Sequence, residues 1–244
     1  MTEHLHLPLL LVSILAGAIA AVSGFGIGSV ITPLLLLRFS APEAVSLVAL
    51  PHAWATALRL YQLRRSIHGP TFRQFGLASA AGGLAGALLQ GSLGGLGLTL
   101  VLALLLLTAG VGEVRQRPVP LPDSPGWKLA GGALSGFFGG LVGNQGGIRA
   151  AALLQYGLTP REIVATATAT ALLVDAARVP VYATRGASFI ASQIPLVLWI
   201  SLGVTIGTGL GVPLLGRLKP TTYRRLVGAL LILLAVFLVG LAVR

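Results

Sequence analysis

The chain has 244 residues, 55% of them hydrophobic and only 9% charged, with a mean hydropathy of +0.90. A soluble domain carries about 25% Asp, Glu, Lys and Arg, so a water-facing fold would leave much of this sequence as apolar surface, and a soluble enzyme is excluded. The net charge of +11 does not point to nucleic acid, because the 17 lysines and arginines fall mostly in short gaps between apolar runs, where they orient a chain in a bilayer.

The first apolar stretch runs from Leu7 to Leu37. Its beginning could pass for a signal segment, with Ala18-Ile19-Ala20 as the cleavage site. Residues 1–6 hold Glu3 and no Lys or Arg, so the stretch reads as a retained membrane segment. It is broken at Gly24-Phe25-Gly26-Ile27-Gly28. About ten helical residues follow the break, roughly 15 Å and half a hydrocarbon core, so the chain is expected to turn inside the membrane. Three spanning helices are then predicted over Pro42–Leu63, Phe72–Gln90 and Gly94–Val114. The one notably polar linker, Arg115 to Lys128, holds four prolines. Beyond it the pattern returns: a broken stretch, Trp127–Tyr156, interrupted at Gly143-Asn144-Gln145-Gly146-Gly147, then spans over Pro160–Tyr182, Ser188–Leu210 and Tyr223–Val243.

A shift of 118 residues puts Gly28 on Gly146, Leu35 on Leu153 and Pro42 on Pro160, the mark of an internal duplication. If each broken stretch returns to its starting side, Arg59, Arg64, Arg65, Arg73, Arg115, Arg117, Lys128, Arg161, Arg217, Lys219, Arg224 and Arg225 share one side. Arg38, Arg178, Arg185 and Arg244 take the other, with Arg149 inside the membrane. The positive-inside rule prefers this arrangement to one in which each broken stretch crosses once. The predicted fold is therefore an all-α integral membrane protein of two inverted repeats, residues 1–116 and 127–244, joined by the linker 117–126. Each repeat is a re-entrant hairpin plus three transmembrane helices. The expected location is the cell inner (plasma) membrane, with both termini outside.

Helix breaks at mid-membrane leave backbone N–H groups unbonded, and these, with the positive end of the following half-helix, make an anion site. Gly26, Gly28 and Ser29 in the first copy, and Gly146 and Gly147 in the second, are placed to build it. Asn144 and Gln145 add side-chain donors. The runs Gly132-xxx-Gly136-xxx-Gly140 and Gly203-xxx-Gly207-xxx-Gly211 are instead read as helix-packing surfaces. Arg149 lies about one turn past the second break, with no acid near it in sequence, so a bound anion would supply the missing charge. Asp175, Arg178 and Tyr182 share one helix face. Asp175 and Arg178 form an ion pair, or Arg178 turns to the substrate, or Asp175 carries a coupling proton. Thr166, Thr168 and Thr170 present hydroxyls upstream. In the first copy, His52 lines the pathway, titrates, or is satisfied by neighbouring helices. With no cysteine and a single buried histidine, neither a metal nor another cofactor is expected.

At these clusters the sequence resembles the TauE/SafE family of membrane proteins, the four-toluene-sulfonate uptake type of permeases. The similarity is sharpest at Gly143-Asn144-Gln145-Gly146-Gly147-Ile148-Arg149 and at Asp175-Ala-Ala-Arg178-Val-Pro-Val-Tyr182. The breaks read Gly26-Ile27-Gly28-Ser29 and Asn144-Gln145-Gly146-Gly147, where the family often has three consecutive glycines. The resemblance implies a permease or exporter of small sulfur-containing or organic anions such as sulfite or sulfoacetate.

The resulting expectation is a multi-pass anion transporter working by alternating access, not an enzyme. Its partners are a small anion and the lipid bilayer; no nucleic acid is expected, and homo-oligomerisation is left open. The rivals are a passive anion channel or structural membrane subunit, and an intramembrane hydrolase using Ser23 or Ser29 with His52. No Gly-x-Ser-x-Gly or His-Glu-x-x-His motif supports the last.

Overall fold

The computed structural model describes residues 3–23, 26–116, 124–214 and 220–243, and every regular element among them is a helix. The first half holds α1 (Glu3–Ser23), α2 (Ile27–Leu35), α3 (Ala41–Leu63), a single turn α4 (Gly69–Thr71), a π-helical turn Phe72–Gly76, α5 (Leu77–Leu89) and α6 (Gly95–Arg115). The second holds α7 (Pro125–Val142), α8 (Gly146–Leu153), α9 (Pro160–Ser192), α10 (Ile194–Leu214) and α11 (Pro220–Ala242). Gly24, Phe25, Arg117, Lys219, Arg217, Arg244 and most of the linker 117–126 lie outside the described residues, as do the side chains of His4, His6 and Ser23.

The helices that follow the two hairpins start in the same way. At α3 the Ser40 N–H and hydroxyl both donate to Glu43 Oε2, at 2.8 and 2.7 Å. At α9 the Thr159 N–H donates to Glu162 Oε2 at 2.9 Å and the Glu162 N–H returns a bond to Thr159 Oγ1. A proline lies in the first turn of each, where its missing N–H costs nothing.

Among the described residues, four helices are long and apolar enough to cross a membrane: Gly95–Arg115, Pro160–Ser192, Ile194–Gly211 and Arg224–Ala242. The six predicted spans differ from these in three places. α3 has the length, but His52, Thr56 and Arg59 dilute its apolar character. α5 has only 13 residues and continues the π-helical turn before it. The gap expected between Tyr182 and Ser188 is a kink: α9 continues to Ser192 through Gly186, whose φ of −148° and ψ of 30° leave the helical region.

The principal packing partners are α1 with α10, α5 with α7, α3 with α9, α6 with α11, α3 with α10, and α5 with α9. Exchanging each element for its counterpart in the other half returns the same set of pairs. Close approach is made possible by small residues. A Cβ on Gly136 of α7 would run into the Ser79 carbonyl of α5, and one on Gly207 of α10 into the Ile14 carbonyl of α1. Both glycine runs read as packing surfaces therefore serve as such.

The distribution of polarity is the reverse of a soluble protein's. Leu104, Leu226, Leu233 and Val236 face outward, each at least 60% exposed, whereas Arg59, Arg149, Asp175 and Arg178 are at most 4% exposed. Outward leucines are costly unless the surroundings are lipid, and in lipid the charged side chains turn to the interior of the bundle. The chain is a multi-pass membrane protein.

Candidate functional site

The two helix breaks lie against each other. Gly143 ends α7 in the left-handed region (φ 73°), and its N–H closes on the Gly139 carbonyl at 3.1 Å. Gly28, at the start of α2, is packed so closely on this turn that a Cβ there would strike the Gly143 carbonyl. Next to it, Ser29 Oγ donates to Asn144 Oδ1 at 3.3 Å. Gly26 precedes α2 at φ 139°, a conformation open to glycine and strained for other residues. Gly28 and Ser29 of the first break therefore lie directly against the second, while Gly26 packs on Ile19 and Ala20 of α1.

Beyond the second break, α8 begins at Gly146 with Gln145 as its N-cap. The Gln145 carbonyl accepts from the Arg149 N–H at 3.1 Å and from Ser135 Oγ at 3.4 Å. The guanidinium of Arg149 folds back over this turn, with NH2 donating to Gln145 Oε1 and NH1 to the Ala167 carbonyl at 3.3 Å. Three donors are then left over. Asn144 Nδ2, Gln145 Nε2 and Arg149 Nε are buried and have no hydrogen-bond partner among the described residues. Buried polar groups are rarely left in this state, and here every orphan is an N–H. Among the described residues no carboxylate bonds Arg149, and the one acid the sequence places well inside a span, Asp175, is taken by Arg178 and His52.

A cavity of about 210 Å³ reaches this turn. Asn144, Gln145 and Gly147 form one part of its lining, Ile148 and Ala151 of α8 another, and Leu105, Ala109 and Glu113 of α6 a third. At its edge Arg224 Nε of α11 donates to Glu113 Oε2 at 2.8 Å, a pair whose side chains are 41% and 19% exposed.

The second cluster surrounds Asp175. Arg178 places Nε and NH2 on Asp175 Oδ1 at 2.9 and 2.8 Å, the pair that their three-residue spacing predicts. Its NH1 donates to the Gly139 carbonyl, and Tyr182, one turn on, donates its hydroxyl to the Gly140 carbonyl. Arg178 and Tyr182 thus bind α9 to the last turn of α7, just before the break. The other carboxylate oxygen, Oδ2, lies 2.7 Å from His52 Nδ1 of α3. This contact spans 123 residues and could not be read from either copy alone.

Two arginines differ from their expected place. The positive-inside count places Arg59 and Arg178 at the membrane faces, but both are buried. Arg178 is kept inside by Asp175. Arg59 is kept there by polar oxygens of neighbouring helices: Nε donates to Thr168 Oγ1 at 2.9 Å and NH1 to the Ala20 carbonyl. Its position two turns after His52, on the same face of α3, is the sequence signal that could have placed it. Of the three threonines of α9, Thr168 thus holds Arg59 and Thr166 Oγ1 accepts from the His68 N–H at 3.0 Å, while Thr170 Oγ1 has no partner among the described residues. Gln90, which caps the Leu141 carbonyl of α7 at 3.1 Å, also escaped the sequence reading. Among the described residues, no group of three His, Asp or Glu side chains could hold a metal ion.

The site is a donor-rich turn between two half-helices, inside a chain whose outer faces are apolar. The sequence model of the family described as Sulfite exporter TauE/SafE matches residues 9–238. Comparisons with curated proteins and with solved structures give no match. Spanning nearly the whole chain, the family match shows that this protein belongs to the TauE/SafE sulfite exporter family, a family of membrane transporters rather than enzymes.

Proposed function

We propose that the protein carries a small anion, of the sulfite or sulfoacetate kind, across the plasma membrane by alternating access. The anion is held at the second break. Asn144 Nδ2, Gln145 Nε2 and Arg149 Nε donate to it, and the N-terminal end of α8, at Gly146 and Gly147, contributes its backbone N–H groups and positive dipole end. The observation that carries this reading is that these three buried donors, within a few residues of one another, have no acceptor among the described residues. An anion offers acceptors to all three, whereas a cation offers none.

Alternating access draws support from the exchangeable packing pairs, which describe two similar halves embracing each other around α3 and α9. Inverted orientation of the halves, with both termini outside, rests on the positive-inside count. The hairpins α1–α2 and α7–α8 then enter from opposite sides and touch through Gly28 and Gly143.

Purified protein in liposomes, loaded with unlabelled sulfoacetate and given trace radiolabelled sulfoacetate outside, tests the reading. A saturable overshoot of label, lost in Arg149→Ala, is the expected result. Flux that rises linearly with concentration and shows no counterflow would instead identify a passive pore. Full counterflow by Arg149→Ala would remove Arg149 from the binding site.

A further inference from the structure

Asp175 has two different partners. Its Oδ1 is held by the guanidinium of Arg178 and its Oδ2 by His52, an imidazole with a second ring nitrogen that can accept a proton. With Nδ1 committed to Asp175, the ring nitrogen Nε2 is the atom left to take up a proton. His52 is also the accessible member of the cluster, 12% exposed against 1% for Asp175 and Arg178.

From this geometry we infer that His52 and Asp175 form a proton-binding site tied to the anion site, so that a proton and the anion are bound together and move in the same direction. The inference rests on the anion reading above. The mechanical link is a continuous chain of bonds: His52 to Asp175, Asp175 to Arg178, Arg178 to the Gly139 carbonyl. That carbonyl also accepts from Gly143, the first residue of the second break.

The electrostatic link sets the sign. Arg59, Arg149 and Arg178 are all buried with Asp175, so among the described residues the interior holds three arginines against one carboxylate. Adding a proton to His52 increases that excess and is opposed until an anion arrives. By reciprocity, an anion bound beside Arg149 raises the proton affinity of His52, and a proton on His52 raises the affinity for the anion. Binding of the two is therefore cooperative, which is the requirement for co-transport rather than exchange of proton against anion.

Other ionisable groups are poorly placed to substitute. From α9 the groups that face His52 are Asp175 and Arg178. Helices α2 and α10, which also pack on α3, carry no ionisable side chain. α6 and α7 carry Glu113, Arg115 and Lys128 only near their ends; Glu113 bonds Arg224 and Lys128 sits over the Tyr156 ring. Arg64 and Arg65 lie in the turn after α3, and Glu43 at its start is used in the capping box.

The test uses liposomes enclosing a pH-sensitive dye, with sulfoacetate as the probe because its acid groups are fully ionised near neutral pH. An inward sulfoacetate gradient should acidify the lumen of wild-type vesicles, and proton movement should fall at least about tenfold in His52→Gln, within the range of allosteric couplings. Glutamine retains a donor toward Asp175 but does not titrate, so a merely structural histidine would leave the proton flux intact. Sulfoacetate exchange without acidification in the wild type, or equal acidification in His52→Gln, overturns the inference alone. No sulfoacetate exchange in the wild type overturns the anion reading and this inference with it. If His52→Gln does not fold, 15N-labelled wild-type protein decides the question. The imidazole signal of His52 should move toward the protonated form when sulfoacetate is added at fixed pH, and an unmoved signal overturns the proposal.

Discussion

Ser29 and Asn144, one from each helix break and 115 residues apart, are joined by a hydrogen bond of 3.3 Å from Ser29 Oγ to Asn144 Oδ1. The bond fixes which end of the Asn144 amide faces the first hairpin. Oxygen points to Ser29 and the Nδ2 donor is turned away from it, unpaired and buried. Ser29→Ala removes this orientation without adding bulk. Loss of a single neutral hydrogen bond is worth about 1 kcal/mol, so the expected effect is roughly a fivefold rise in the half-saturation constant with little change in melting temperature. Concentration-dependent uptake of sulfoacetate measures it, and an unchanged constant would argue against Asn144 as an oriented donor.

Arg149 should tolerate lysine poorly. A lysine keeps the positive charge but has no planar fork with which to reach Gln145 Oε1, the Ala167 carbonyl and a ligand together. Hydrogen bonds to charged groups contribute about 1.5–3 kcal/mol, so Arg149→Lys is expected to weaken uptake by roughly 10- to 100-fold, and Arg149→Ala to abolish it. The alanine variant also leaves the buried Gln145 Oε1 without its donor and should melt at a lower temperature. Equal activity of the lysine variant and wild type would reduce the role of Arg149 to bulk charge.

Much of this was legible in the sequence because it depends on local spacing. The glycine clusters mark the breaks, Pro42 and Pro160 mark the starts of α3 and α9, and the three-residue spacing of Asp175 and Arg178 places them together. What was not legible depends on which helices become neighbours. His52 meets Asp175 only because α3 packs on α9, and Arg59 stays inside only because Thr168 and the Ala20 carbonyl come from other helices to receive it. An arginine near a helix end is ordinarily drawn to the interface, but Arg59 stays inside because neutral oxygens there satisfy it.

The contact between Gly28 and Gly143 predicts a steric phenotype. Gly28→Ala would push its methyl group into the Gly143 carbonyl, and because the obstacle is backbone rather than a flexible side chain, the two breaks must separate. Transport should fall more than about tenfold while the helical circular dichroism spectrum is kept, since overpacking of this kind costs about 1–3 kcal/mol. Gly94→Ala, where nothing lies within 4 Å of the added carbon, serves as the neutral control. If the two alanine variants behave alike, the breaks do not need to touch.

Asp175 and Arg178 should behave as a buried pair in which each partner is costly alone. Asp175→Asn leaves a guanidinium in the interior without its counter-charge, a loss of about 3–5 kcal/mol. Replacing both, as Asp175→Asn with Arg178→Met, removes the stranded charge and should recover part of the stability without recovering transport. Unfolding of the single and double variants in mixed micelles measures the difference. A double variant less stable than Asp175→Asn would mean that Arg178 stabilises mainly through the Gly139 carbonyl.

The cavity beside Asn144 and Gln145 can be mapped directly, because the chain contains no cysteine and a single introduced thiol is the only reactive sulfur of its kind. Ala151→Cys places that thiol on the α8 wall of the cavity, and Ala165→Cys places one at a fully buried position outside its lining. If the cavity is the passage from the anion site to one face of the membrane, a charged thiol reagent will modify Ala151→Cys from that face only, and Ala165→Cys from neither. Glu113 and Arg224 border the same cavity, so breaking their partly exposed pair by Glu113→Gln should speed modification while changing stability by no more than about 1 kcal/mol. Saturating sulfoacetate should slow labelling, either by standing in the path or by shifting the protein to the state open on the other side. Labelling from both faces at equal rates would contradict alternating access, and labelling indifferent to sulfoacetate would separate the cavity from the transport path.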